Sequence, residues 1–179
     1  MDCYYLVASL PYLEFGQAPP FDGNEFLQRC AGIIDDAKLQ EVASVLNGRI
    51  GECESGFGCD LVSAETQLRN AVVRIRASKK GVDPRAFLRE HSAFRSWVEK
   101  MVVDAFTREN PREREMALDH ARWQIADELT GVESFTFGKI LAFAAKLRIL
   151  IRWSKMERDK GAESVEKFIL DSGMENTDE

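Results

Sequence analysis

The sequence predicts an all-α protein, an irregular bundle of about six to eight helices behind an extended N-terminal segment. Three observations lead there. Apolar residues recur at spacings of three and four through most of the chain after Asp22, as they do in helices that bury one face. Helix-start signals divide these runs, most plainly at Asp83-Pro84 and Asn110-Pro111, where a capping side chain precedes a proline at the first helical position. The connections are short, and only the first dozen residues or a glycine-rich stretch could form a minor strand.

Tyr4 to Leu13 is apolar and is followed by Phe15-Gly16 and Pro19-Pro20. Pro11 and the proline pair disfavour helix in the residues before them, so 1–21 reads as an extended lead-in. Asp22 or Gly23 starts a short helix carrying Phe26, Leu27, Cys30 and Ile33, and Asp35 caps another with Leu39, Val42, Ala43 and Leu46 on one face. Asn47-Gly48 ends it. Gly48 to Asp60 holds four glycines without helical periodicity and reads as an ordered loop or hairpin. Ser63 is then the expected cap of a helix to about Lys79, with Leu68, Val72 and Ile75 inward and Gly81 closing it.

Asp83-Pro84 opens a short helix with Phe87 and Leu88, after which Phe94, Trp97, Val98, Met101, Val102 and Ala105 give a strongly amphipathic pattern. The helix after Asn110-Pro111 is anchored by Leu118, Ala121, Ile125 and Leu129 and stops at Gly131. Thr136 caps the last long helix. Its apolar residues from Ile140 to Trp153 leave only a narrow polar stripe at Arg148, Arg152 and Lys155, which predicts a central helix packed on several sides. Gly161 is expected to bend or break it before Val165, Phe168, Ile169 and Leu170. Residues 1–171 thus read as a single helical domain and 172–179 as a flexible acidic tail.

The 179 residues suffice to bury a core, and 45% apolar with 30% charged residues belongs to a globular chain. The net charge is −6, with 13 acids to 10 bases up to residue 90 and 17 to 14 after it, which disfavours wholesale nucleic-acid binding. Lys146, Arg148 and Arg152 interrupt the most apolar run, so no direct membrane insertion is expected. Asp2 stands where a secretory signal would be basic, and a cytoplasmic location with reduced cysteines is expected.

Chemistry-bearing patterns are sparse. His91 lies at a helix junction and His120 in a charged helix beside Asp119, neither in a metalloprotease motif. Gly56-Phe57-Gly58-Cys59-Asp60 lacks the lysine and hydroxyl of a phosphate loop, and Cys53 and Cys59 have no second pair or nearby histidine to complete a zinc set. Asp35-Asp36, Glu113/Glu115 and Asp127-Glu128 fit helix starts and solvated faces. No catalytic, metal or cofactor-binding residue is assigned. Arg69, Arg74, Arg76, Lys79 and Lys80 form a basic cluster that either complements a helix dipole or docks an acidic partner. Trp97 and Trp153 have core spacing, whereas Trp123 follows Arg122 on a helix with a filled inward face and is expected at the border, within reach of a partner.

The run Tyr4 to Pro11 with Leu13, Phe15-Gly16, Pro19-Pro20, Phe26-Leu27 and Cys30 resembles the opening of a bacterial family of unknown function encoded among V/A-type ATPase subunits. Arg112 to Asp119, Arg122-Trp123, Asp127 to Leu129 and Lys146 to Trp153 resemble it too. The resemblance implies a role like that of the ATPase's C (or d) subunit, an all-helical adaptor between rotor shaft and membrane ring, although this chain is shorter than such adaptors usually are. The expected function is a non-catalytic subunit or accessory factor of a V/A-type ATPase, its partners stalk or rotor subunits, peripheral at the inner membrane through that complex. An independent helical adaptor or regulator of another cytoplasmic protein is the alternative. An enzyme with a cleft at the glycine loop is the third reading.

Overall fold

Apolar side chains on nearly every side of residues 140–153, in the helix Phe137–Met174, put this stretch at the centre of the bundle. The computed structural model describes residues 3–131 and 135–174, with side chains described through Glu157 and at Asp159. Seven α-helices are present among them: α1 (Cys3–Ser9), α2 (Gly23–Cys30), α3 (Asp36–Leu46), α4 (Gly56–Lys80), α5 (Ser96–Ala105), α6 (Pro111–Thr130) and α7 (Phe137–Met174). Two 3₁₀ turns, Ile50–Glu52 and Arg85–Phe87, lie between them, and the described residues contain no strand, only an isolated bridge from Ala31 to Ile34. The all-α bundle predicted from the periodicity is the fold.

α7 packs against α1, α2, α3, α4 and α6, and Ile140, Leu141, Ala144 and Leu147 are fully buried. Arg148, Arg152 and Lys155 form its polar stripe, all three reaching solvent. One contiguous core runs from Leu6 to Trp153 through residues of every α-helix. Capping fixes several helix starts as the sequence indicates. Asp22 accepts from Glu25 N at 2.8 Å, Asp35 from Lys38 N at 2.9 Å, and Asn110 from Arg112 N at 2.9 Å with Pro111 next. Each such cap stabilises its helix by about 1 kcal/mol.

The N-terminal lead-in is not extended throughout. Cys3–Ser9 is helical, with Leu6 buried in the core and Ser9 Oγ donating to Leu6 O at 2.8 Å. Pro11 restricts Leu10, the residue before it, and the helix ends one residue earlier, so the prolines govern only the segment after α1.

The glycine-rich stretch is shorter than expected as a loop. Ser55, not Ser63, caps α4, its Oγ accepting from Gly58 N at 3.0 Å. Gly58 is there for close approach, since a Cβ on it would lie 2.5 Å from Cys53 Cβ. Ser63 is instead buried within α4 and accepts from Ser92 N and Ala93 N at 3.1 and 3.2 Å.

That bond is one rung of a ladder that explains another difference. Asn70 exchanges two hydrogen bonds with the Arg89 backbone, 2.7 and 3.0 Å, and Gln67 two with the Arg95 backbone, 2.7 and 2.9 Å. Ser63, Gln67 and Asn70 thus satisfy the backbone of the segment between α4 and α5 from the side of α4, and it needs no helix of its own. Only the 3₁₀ turn Arg85–Phe87 forms where a short helix was expected. Phe94 precedes α5 and is exposed instead of joining its apolar face.

α7 continues through Gly161 to Met174. A mid-helix glycine costs about 1 kcal/mol, too little to interrupt a helix anchored in the core. The side chains of Val165, Phe168, Ile169 and Leu170 lie outside the described residues. The expected tail begins inside α7, at Ser172–Met174, and 175–179 lie outside the described residues.

Candidate functional site

Helices α4, α6 and α7 each place charged side chains one turn apart, and their meeting beside the end of α3 encloses a cavity of about 170 Å³. Four guanidinium groups, of Arg69, Arg122, Arg148 and Arg152, face three carboxylates, of Glu65, Glu115 and Asp119. Arg122 holds Glu65 with both arms of its fork, Nε to Oε2 at 2.9 Å and Nη2 to Oε1 at 3.2 Å. Its Nη1 donates to Asp119 Oδ1 at 2.9 Å. Arg69 Nε donates to Glu65 Oε1 at 2.8 Å, while Trp153 Nε1, at 2.8 Å, and Arg152 Nη2 both donate to Asp119 Oδ2.

The network ties three helices together through carboxylates largely withdrawn from water. Asp119 is 2% exposed and Glu65 9%. Burial opposes the Glu65 carboxylate, but Arg122 and Arg69 outweigh it and hold its pKa below the ordinary carboxylate range. Burial likewise opposes the Arg122 cation, and Glu65 and Asp119 together raise its pKa above the usual guanidinium value.

Arg148 stands apart from this set. It donates no hydrogen bond and joins no ion pair among the described residues. Desolvation lowers its pKa, and the repulsion of Arg122 and Arg152 adds to that against the attraction of Glu65 and Asp119. Its guanidinium lies over Gly48, where a Cβ would come within 2.6 Å of Nη2. Gly48 has φ +75° and closes α3 in a left-handed turn, with Gly48 N donating to Val45 O at 3.0 Å and Arg49 N to Ser44 O at 2.8 Å. The same glycine therefore ends a helix and leaves room for the arginine.

The basic cluster predicted on α4 is divided between two environments. Arg69 belongs to the charged cavity. Arg74 and Lys79 line a separate open groove of about 380 Å³ between α4 and α5, beside Ile75, Glu99 and Val103. There Arg74 Nη1 donates to Glu99 Oε1 at 2.9 Å, Lys79 Nζ lies 5.3 Å from the centre of the Phe106 ring, and Val103 is 57% exposed. Arg76 and Lys80, one turn apart and exposed, line neither.

Trp123 is not at the border. It is 7% exposed, its ring edge-on to Phe15 at 5.5 Å between centres and beneath Lys146 Nζ at 4.9 Å. Folding of residues 11–21 back over α6 covers it, a long-range contact that helical spacing does not encode. His91 Nδ1 lies 2.6 Å from Ala93 O, and His120 packs edge-on against Phe15 at 5.1 Å. The four cysteines are free thiols, and burial pushes those of Cys30 and Cys53 up to about 11, Glu41 adding to the effect at Cys53. Among the described residues no three histidine, cysteine or carboxylate side chains are grouped to hold a metal ion. No described helix is long and apolar enough to cross a membrane.

The charged residues around the cavity give no signal when each helix is read alone. Asp119 and Arg122 sit three residues apart, as Glu65 and Arg69 and likewise Arg148 and Arg152 sit four apart. Such pairs also decorate solvated faces, and only the packing of α4, α6 and α7 separates the two cases. No curated protein and no solved structure compared with the chain matches it. Residues 98–175, which include α6, most of α5, the whole of α7, and so Asp119, Arg122, Arg148 and Arg152, match the model of a family described as a protein of unknown function (DUF2764).

Proposed function

We propose that this chain is a non-catalytic subunit or accessory factor of a V/A-type ATPase that docks a stalk or rotor subunit on the surface between α4 and α5. The observation that carries the docking reading is the groove itself, lined by Lys79, by Arg74 paired with Glu99, and by the half-exposed Val103. A helix or loop offering an apolar residue with acidic neighbours complements it. Its ATPase identity rests on the resemblance of the N-terminal run and of the segments between Arg112 and Trp153. Those later segments fall within the stretch matching a family of unknown function, which brings no activity with it.

The test is recovery of partners with a tagged endogenous protein from gently solubilised cells, comparing wild type with the double variant Arg74→Glu, Lys79→Glu. Stoichiometric stalk and catalytic ATPase subunits that are lost with the double variant are the expected result. Their absence, with a different soluble protein recovered, would replace the ATPase reading by that of an independent adaptor. Unchanged recovery with the double variant would remove the groove as the docking surface.

A further inference from the structure

We propose that the charged cavity between α4, α6 and α7 binds a small oxyanion, a phosphate or carboxylate group, gripped by Arg148 with Arg152 and Arg69. This site is separate from the α4–α5 groove and does not depend on the partner proposed for it. Two of the three carboxylates around the cavity are already committed. Glu65 is taken up by Arg122 and Arg69, and Asp119 by Arg122, Arg152 and the Trp153 N–H. These carboxylates have no need of Arg148.

A guanidinium carries five N–H donors in a fixed fork. Within the network Arg69 uses Nε and Arg152 uses Nη2, whereas Arg148 uses none, so the three keep donors for a ligand. Paired N–H groups match the paired oxygens of phosphate or carboxylate, the geometry in which charge-assisted hydrogen bonds are strongest. The four guanidinium groups exceed the three carboxylates by one positive charge. A bound anion would neutralise that excess and offset the repulsion that Arg148 meets from Arg122 and Arg152.

Glu115 opposes such a ligand. It lines the same cavity and is the one lining carboxylate with no ion pair among the described residues. Its charge therefore limits affinity, and its removal supplies a test that a general loss of structure cannot imitate. The second structural element is Gly48, whose lack of a Cβ leaves the place in which the Arg148 guanidinium lies.

The experiment is calorimetric titration of the purified full chain with sodium phosphate and, separately, sodium succinate, each against sodium chloride at equal ionic strength. Saturable binding of either oxyanion is expected, and which of the two binds more tightly assigns the group. Arg148→Gln should weaken it by about tenfold or more without lowering the thermal midpoint of the unliganded chain, and Arg148→Lys, which keeps the charge but not the fork, should fall between. Glu115→Gln should strengthen it. Absence of saturable binding by both probes, or binding that Arg148→Gln leaves unchanged, would overturn the proposal.

Discussion

Replacing Asp119 by asparagine removes one charge and no volume, and the structure indicates what that costs. Oδ1 accepts from Arg122 Nη1 at 2.9 Å, and Oδ2 accepts from Trp153 Nε1 at 2.8 Å and from Arg152 Nη2. An asparagine amide must turn its NH₂ toward one of these two sets of donors, whichever way it is placed. At least one buried N–H then faces another donor, and Arg122 keeps only Glu65 as counter-charge. Breaking a buried pair in this way costs about 3–5 kcal/mol. For a chain of this size that is roughly 6–20 °C in thermal midpoint. Urea unfolding followed by tryptophan fluorescence and by far-ultraviolet circular dichroism would measure it. The matched control is Asp104→Asn, which breaks the exposed 3.2 Å pair with Arg108 and should change stability by no more than about 0.5 kcal/mol. A loss below about 1 kcal/mol for Asp119→Asn would refute the view that this carboxylate joins α6 to α7.

The Glu65 carboxylate gives a pH dependence of definite sign. Its folded-state pKa lies below the ordinary 4.5, so on acidification the unfolded chain takes up the proton first. The stability it contributes is complete above the unfolded value and is lost as pH falls through the folded one. Urea unfolding from neutral pH downward should show a smaller acid loss in Glu65→Gln than in wild type, and an identical slope would count against the assignment. Trp123→Ala should cost about 3–5 kcal/mol in the same unfolding assay, as expected for a buried ring and not for a border residue.

Local rules account for most of the fold. Cap side chains at Asp22, Asp35 and Asn110 and the apolar circumference of α7 are properties of neighbouring residues, and they place helices where they are found. The differences arise where distant residues decide. Residues 89–95 are held by side-chain amides of α4, 28 positions away in the case of Gln67 and Arg95. The choice between two serines as the cap of α4 illustrates the same limit, because Ser55 and Ser63 are equivalent by type and only Cys53 against Gly58 and Ser92 against Ser63 distinguish them. Of the six candidate partner-contact residues, Arg74 and Lys79 share a groove, Arg69 turns to the cavity, Arg76 and Lys80 line neither, and Trp123 is covered by Phe15. Proximity in sequence joins surfaces that α4 presents in different directions.

The charged cavity itself is not explained by stability. Buried ion pairs can often be exchanged for apolar residues at little cost, so the Glu65, Arg122 and Asp119 set is weak evidence for a stabilising purpose even though breaking it by halves is costly. Arg148 has less structural reason still. It gains no carboxylate, it is partly desolvated beside two other cations although it still reaches solvent, and its guanidinium lies over Gly48, where a Cβ would crowd Nη2. The unused donors of Arg148 and the one-charge excess of the cavity are what the proposed anion would satisfy.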